Sequence, residues 1–186
     1  MKKAPGVQVV SSEPIFKGRV MEIKRDQIIE PSGIHATREW VKHPGSVVVL
    51  PVFPDGRILL IRQYRYAARR EMWELVAGHK EPDEDFATGA QRELEEESGY
   101  TAKSFKKLLE FYPSPGFVSE KMVVFMATGL TKGRTKMESD EKIDQRIVTL
   151  AQAEQWIKSG TIVDAKTIAG ILYYSKFARA KVKKRK

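Results

Sequence analysis

Apolar residues along this chain fall into two kinds of pattern, and the change from one to the other marks its centre. Ser46 to Phe53 is a nearly unbroken apolar run rich in valine, the signature of a strand buried on both faces. Pro54-Asp55-Gly56 then turns the chain into Arg57 to Tyr64, with Ile58, Leu59, Leu60 and Ile61 in succession, which predicts a short-looped hairpin. Residues 15–30 and 36–42 read as earlier strands, parted by the turn signal Glu30-Pro31-Ser32-Gly33. From Asp83 to Ser98 the period lengthens: Phe86, Ala90 and Leu94 recur every four residues, the apolar stripe of a helix that Gly99 stops. Gly89 inside it costs about 1 kcal/mol relative to alanine, so close packing or weak selection must account for it. Strands are expected again at Phe105–Phe111, Lys121–Leu130 and Gln145–Leu150, and helices near Ala151–Ser159 and Asp164–Ala178. This order predicts an α+β class, a mixed sheet between helical layers (an α/β/α sandwich), preceded by an N-terminal antiparallel strand extension.

Length and composition narrow the picture. At 186 residues the chain suits one well-filled domain, and 41% hydrophobic residues excludes a disordered one. The longest apolar run, Val47 to Phe53, is far short of the ~20 residues a membrane span needs. The start, MKKAPGVQVV, has lysines but no apolar stretch behind them, so a cytoplasmic protein is expected. The lack of cysteine excludes disulfides, thiol nucleophiles and thiolate-bound zinc.

The net charge of +9 is unevenly spread. Seven positive charges (Lys176, Arg179, Lys181, Lys183, Lys184, Arg185 and Lys186) lie in the last eleven residues, and taking them from +9 leaves +2 for the rest. Such a tail binds nucleic acid through counterion release or remains a solvated end, and the second is the expectation here. Residues 71–100 show the opposite asymmetry, with ten acids against Lys80 and Arg92, a net −8. Carboxylates packed so densely repel one another unless water, partners or a cation relieve them.

The densest part is Arg92-Glu93-Leu94-Glu95-Glu96-Glu97. At about 100° per residue, Glu96 and Glu97 fall roughly 60° and 40° either side of Glu93, so three carboxylates share one helix face. The Phe86, Ala90, Leu94 stripe holds the helix against the core and so fixes that ridge. A merely solvated acidic helix usually interleaves lysines at i+4, and none occurs between Lys80 and Lys103. Oxygen ligands without cysteine or clustered histidine suit Mg²⁺ or Mn²⁺ rather than zinc. His35, His43 and His79 share no ligand spacing, and neither a G-x-G-x-x-G nor a G-x-S-x-G pattern is present.

Gly78, Glu84, Arg92, Glu93, Leu94, Glu96, Glu97 and Gly99 match in type and spacing the Nudix box, which the segment closely resembles. Tyr100 departs from it, standing where that family usually carries an aliphatic residue. The resemblance implies Glu93 and Glu97 as main metal ligands, Glu96 in support and the carbonyl of Ala77 as a backbone ligand. It implies that Glu84 and Arg92 brace the loop and helix, and that Gly78 lets the loop approach the metal. Outside the box, Arg62-Gln63-Tyr64-Arg65, Glu74-Leu75-Val76-Ala77-Gly78, Pro113-Ser114-Pro115-Gly116 and Gly160 to Thr167 resemble the ADP-ribose pyrophosphatases of this family. Pro115, fifteen residues beyond Tyr100, marks that group.

The expected reaction is therefore Mg²⁺-dependent hydrolysis of ADP-ribose to AMP and ribose 5-phosphate, with another sugar nucleotide such as GDP-mannose as the rival substrate. A Nudix-fold RNA-binding protein using the lysine tail is the rival of a different class. Arg65 and Arg62 are candidates to pair with the diphosphate through their planar guanidinium groups, with Arg38 and Gly116 as further substrate contacts. Trp40 is a candidate to stack on adenine. By resemblance the catalytic base lies on a loop near the end of the sheet, where Glu141 is the choice and Glu138 the reserve. The same resemblance implies a homodimer in which N-terminal strands cross to the partner. The expected organisation is residues 1–42 as the strand extension, 43–178 as the Nudix domain and 179–186 as the basic tail.

Overall fold

The structure is a computed structural model that describes residues 6–133 and 143–179. Two compact units divide the chain: Met1–Gly45 with Ser114–Lys121, and Ser46–Pro113 with Met122–Lys186.

The first unit is a meander of β1 (Gln8–Lys17), β2 (Glu22–Ile29) and β3 (His35–Lys42), antiparallel throughout. The single strand expected over 15–30 is thus two strands. The chain reverses between Lys17 and Glu22, where the amide of Gly18 donates to the carbonyl of Met21 at 2.9 Å. The turn at Glu30–Gly33 forms as read, with Gly33 at φ +83° donating its amide to the Glu30 carbonyl at 2.8 Å. Segment 114–121 belongs to this unit because Val41 binds it on both sides. Its amide donates to the Phe117 carbonyl at 2.7 Å, and its carbonyl accepts from the Ser119 amide at 2.9 Å.

The second unit holds seven strands and three helices among the described residues. After β4 (Ser46–Pro51) and β5 (Ile58–Arg65) come a 3₁₀ turn, β6 (Arg70–Glu74) and β7 (Val76–His79). Helix α1 (Phe86–Ser98), β8 (Tyr100–Phe111), β9 (Met122–Lys132) and β10 (Asp144–Val148) follow. Helices α2 (Leu150–Lys158) and α3 (Ala165–Tyr173) close the unit, α3 running on into a π-helical turn over Tyr174–Ala178. One sheet runs β7-β4-β9-β8, mixed because β4 is parallel to β9 and antiparallel to β7, and another runs β10-β5-β6.

The expected hairpin of β4 and β5 survives only at its tip. The Phe53 amide donates to the Arg57 carbonyl at 2.9 Å and Val52 bridges Ile58. Beyond that the strands diverge into different sheets, because each finds a longer partner elsewhere.

Alternation along β4 explains why its whole length is apolar. Val47 and Val49 join Ala90 and Leu94 of α1 in one buried cluster, with Leu59, Ile61, Val123 and Phe125. Val48 and Leu50 point the other way, into a cluster with Leu150, Ala153, Ile162, Ile171 and Tyr174 of the C-terminal helical part. Helices therefore cover both faces of this sheet, the α/β/α arrangement expected from the order of elements. Helix α1 starts three residues later than expected because the Asp85 carboxylate caps it, accepting from the Thr88 amide at 2.8 Å. Gly99 ends it at φ +70°. Gly89 is explained by packing: a Cβ there would lie 2.7 Å from Glu84 Oε1 and 3.4 Å from Val47.

Candidate active site

Helix α1 and the strand before it build the site. Glu93 and Glu97 lie four residues apart on the inward edge of α1, at 9% and 5% exposure. Carboxylates this buried need partners. Glu97 Oε2 accepts from the amide of Ala77 on β7 at 3.0 Å, and its other oxygen lies 3.5 Å from Gln63 Nε2 of β5. Glu93 lies flush against Gly78, where a Cβ would stand 1.9 Å from its Oε1 and 2.3 Å from its Oε2. Any side chain at residue 78 would displace the Glu93 carboxylate, so glycine is what lets that carboxylate lie where it does.

Arg92 organises the outer edge. Its NH1 donates to Glu93 at 2.7 Å and to Glu96 at 2.8 Å, and its NH2 to Glu84 at 2.8 Å and to the His79 carbonyl at 2.9 Å. The hydrogen bond with Glu84 is the largest cause of a raised Arg92 pKa, aided by Glu93 and Glu96 and opposed by burial. Glu84 in turn is held below the ordinary carboxylate range by Arg92, and its Oε1 also accepts from the Glu81 amide at 2.8 Å. One guanidinium thus ties the loop before the helix to the helix itself. At the far end Gln145 of β10 donates to the carbonyls of Glu97 and Ser98, both at 3.1 Å, satisfying the last turn of α1.

Among the described residues no three His, Asp or Glu side chains stand grouped as a finished ion cage. Arg92 NH1 donates to both Glu93 and Glu96, while Glu97 accepts from the Ala77 amide. In type the donors fit a hard divalent cation, being carboxylate oxygens beside a glycine loop that admits them. An ion here would share or take over contacts that Arg92 now makes.

The other expected site residues are placed as follows. Arg65 gives both Nε and NH2 to Glu74, at 2.8 and 2.7 Å, and that hydrogen bonding raises its pKa against the opposing effect of burial. Arg62 donates to Asp144 at 2.5 Å, stands 3.4 Å from Glu71, and lies over the ring of Trp73. Both arginines are therefore held by carboxylates, and a phosphate would compete with these. Arg38, Trp40 and Gly116 belong to the first unit. Arg38 pairs with Glu30, Trp40 Nε1 donates to Asp26 at 2.8 Å, and Gly116 is exposed. Glu138 and Glu141 lie outside the described residues.

Sequence reasoning missed a second cluster. Glu74 is fully buried between Arg65 and Lys166, and Lys166 also binds Asp164 at 3.0 Å. Burial pushes the Glu74 carboxyl up, but Arg65 and Lys166 outweigh it and hold it below its ordinary value. The available signal was Glu74 standing between Trp73 and Leu75, an acid inside an apolar stretch.

The NUDIX domain family matches residues 42–170, and the chain belongs to it. The ADP-ribose pyrophosphatase of Bacillus subtilis (strain 168) is 39% identical over 168 residues, 89% of this chain and 91% of that protein. A methanol dehydrogenase activator of Bacillus methanolicus is 36% identical over the same shares of each. A solved structure described as that of an ADP compounds hydrolase superposes at a TM-score of 0.83, covering 97% of this chain and 98% of its own. At 19% identity that likeness concerns the fold. Nudix hydrolases are in general divalent-metal enzymes. No helix among the described residues is long and apolar enough to cross a membrane.

Proposed function

We propose that this chain hydrolyses the pyrophosphate bond of a nucleoside diphosphate linked to a second group, with ADP-ribose as substrate and Mg²⁺ as the cation. The observation that carries the reading is the buried pair Glu93 and Glu97 set against Ala77 and Gly78. The similarity to an ADP-ribose pyrophosphatase, which spans nearly all of both proteins, supports the substrate.

Glu93 and Glu97 would hold the cation, with the Ala77 carbonyl and Glu96 in support. When bound, a divalent cation in such a site neutralises charge on phosphate oxygens and lowers the pKa of a bound water. The protein's own groups supply the rest. Arg92 keeps Glu93 and Glu96 oriented through shared hydrogen bonds. Arg65 and Arg62 offer guanidinium groups to the diphosphate, with Arg38 and Gly116 as further contacts and Trp40 as the adenine platform. Glu141, with Glu138 in reserve, removes the proton of the attacking water. Water oxygen bonds to one phosphorus as the bridging P–O bond breaks, releasing AMP and ribose 5-phosphate.

Residues 1–42 serve in this reading as a dimerising extension, 43–178 as the catalytic domain and 179–186 as a solvated tail, in a cytoplasmic enzyme. Support for the dimer comes from β1, which is exposed along its whole length and carries Val9, Val10, Ile15 and Phe16 at 44–57% exposure. Incubation with Mg²⁺ and a panel of ADP-ribose, GDP-mannose, NADH and capped RNA tests the function. AMP release from ADP-ribose, lost in Glu97→Gln, is the expected result. Preference for another member replaces the substrate, and activity undiminished in Glu97→Gln overturns the site.

A further inference from the structure

The strand that receives Glu97 is itself held from the opposite face of the sheet. Leu75 is the single residue between β6 and β7, so its buried amide has no place in either ladder. A buried amide must find an acceptor, and this one donates to Thr167 Oγ1 of α3 at 2.8 Å, across 92 residues of sequence. Thr167 is fully buried, and its hydroxyl hydrogen is committed to Asp164 Oδ2 at 2.6 Å. The same Asp164 oxygen caps α3 by accepting from the Thr167 amide at 3.0 Å. Hydroxyl orientation is thereby fixed, with an oxygen lone pair facing Leu75.

Lys166 strengthens the anchor by joining Asp164 to Glu74, the residue just before Leu75. One turn further along the same helix face, a Cβ at Gly170 would stand 2.8 Å from Leu75 Cδ1, so α3 sits close on this strand. On the other side of Leu75, Val76 is fully buried and pairs with Val49, leaving it little freedom to absorb a shift. The next amide is that of Ala77, which donates to Glu97, and the next Cα is that of Gly78, which cradles Glu93.

We infer that Thr167 is a positioning residue for the Glu93 and Glu97 carboxylates: its hydroxyl sets Leu75, and Leu75 sets Ala77 and Gly78. The inference rests on those two glutamates holding the catalytic cation. Loss of the hydroxyl would displace the strand against α1 and misplace both carboxylates, as removal of a group that orients metal ligands typically costs about 10–100-fold in metal affinity.

The test compares wild type, Thr167→Val, Thr167→Ser and Glu97→Gln in Mn²⁺ binding without substrate, followed by the magnetic-resonance signal of free Mn²⁺, and in Mg²⁺-dependent hydrolysis. Thr167→Val keeps the shape and loses the hydroxyl. It is expected to weaken Mn²⁺ binding and to raise the Mg²⁺ concentration for half-maximal rate by about tenfold or more. At saturating metal its KM for ADP-ribose stays at the wild-type value, and Thr167→Ser restores both metal readouts. Folded Thr167→Val that binds Mn²⁺ as wild type does overturns the inference. Should Thr167→Val fail to fold, Asp164→Asn changes the acceptor that orients the hydroxyl, and it must shift Mn²⁺ affinity in the same direction or the inference falls. Wild type that takes up no Mn²⁺, or Glu97→Gln that takes it up undiminished, overturns the metal reading itself, independently of residue 167.

Discussion

Two charged clusters in the second unit are built on opposite principles. Around Arg92, four carboxylates (Glu81, Glu84, Glu93 and Glu96) share a single guanidinium, with Glu97 a turn away on the same helix. Around Glu74, two acids (Glu74 and Asp164) meet two cations (Arg65 and Lys166). Among the described residues the first cluster sets several carboxylates against one guanidinium, and it borders a glycine loop. The second is balanced, with Glu74 at zero exposure and Arg65 partly solvated. An unbalanced cluster invites an external cation, whereas a balanced one serves to join elements. The joining is specific: it ties β5, β6 and the start of α3 together.

Substitutions should separate the two clusters cleanly. Glu97→Gln is expected to lower ADP-ribose hydrolysis most, on the order of 10²–10³-fold, the scale of losing a group that stabilises transition-state charge. Its thermal unfolding should match or exceed wild type, because like-charge repulsion along α1 is relieved. Parallel losses of stability and rate would instead make the α1 cluster a structural device.

Glu74→Gln should show the reverse emphasis. It takes from buried Lys166 one of its two carboxylate partners, leaving Asp164, and is expected to destabilise by about 3 kcal/mol, the lower part of the range for broken buried pairs, since Arg65 is partly solvated. Chemical denaturation measures this, and a change under about 1 kcal/mol would mean that the cluster is not the fastening described here. Gly78→Ala is a sharper probe of the first cluster. Its Cβ intrudes on the Glu93 carboxylate at 1.9 Å, and a misplacement of that size is expected to cost about 10²-fold in kcat/KM. Full activity in Gly78→Ala would show that Glu93 need not lie where it does.

Acid unfolding tests both clusters at once. Glu74 and Glu84 are held below the ordinary carboxylate value of 4.5 in the folded protein. Depressed carboxyls contribute stability above their unfolded values and lose it as pH falls through the folded ones. Stability should therefore be steady from neutral pH to about 5 and decline below about 4.5, and Glu84→Gln should flatten that decline. A steeper decline in the mutant would contradict the assignment. The smallest effect is expected at the helix start, where Asp85→Ala removes the cap of α1 and costs about 1 kcal/mol in thermal denaturation, with little change in rate.

Much of the site was legible because its information is local. The ridge of Glu93, Glu96 and Glu97 follows from helical geometry within five residues, and the Phe86, Ala90, Leu94 stripe orients it. Less was legible in the strands. β6 and β7 went unread because they share ten residues from Arg70 to His79 with only Leu75 between them and no turn signal. The N-terminal stretch read as one strand is two, since the reversal at Gly18–Met21 lacks the usual Asn-Gly or Pro-Gly marks.

The sequence by itself determined the class: an amphipathic helix with a carboxylate ridge, valine-rich strands buried on both faces, and a matched Nudix box. Periodicity and spacing are properties of neighbouring residues, and they survive being read in one dimension. Only the tertiary structure decided who partners whom. That Glu74 meets Lys166, that Thr167 receives the Leu75 amide, and that β4 and β5 part after a single bridge all depend on contacts between distant segments. Buried polar groups take whichever partner the packed chain brings within hydrogen-bond reach, and no local pattern encodes that choice.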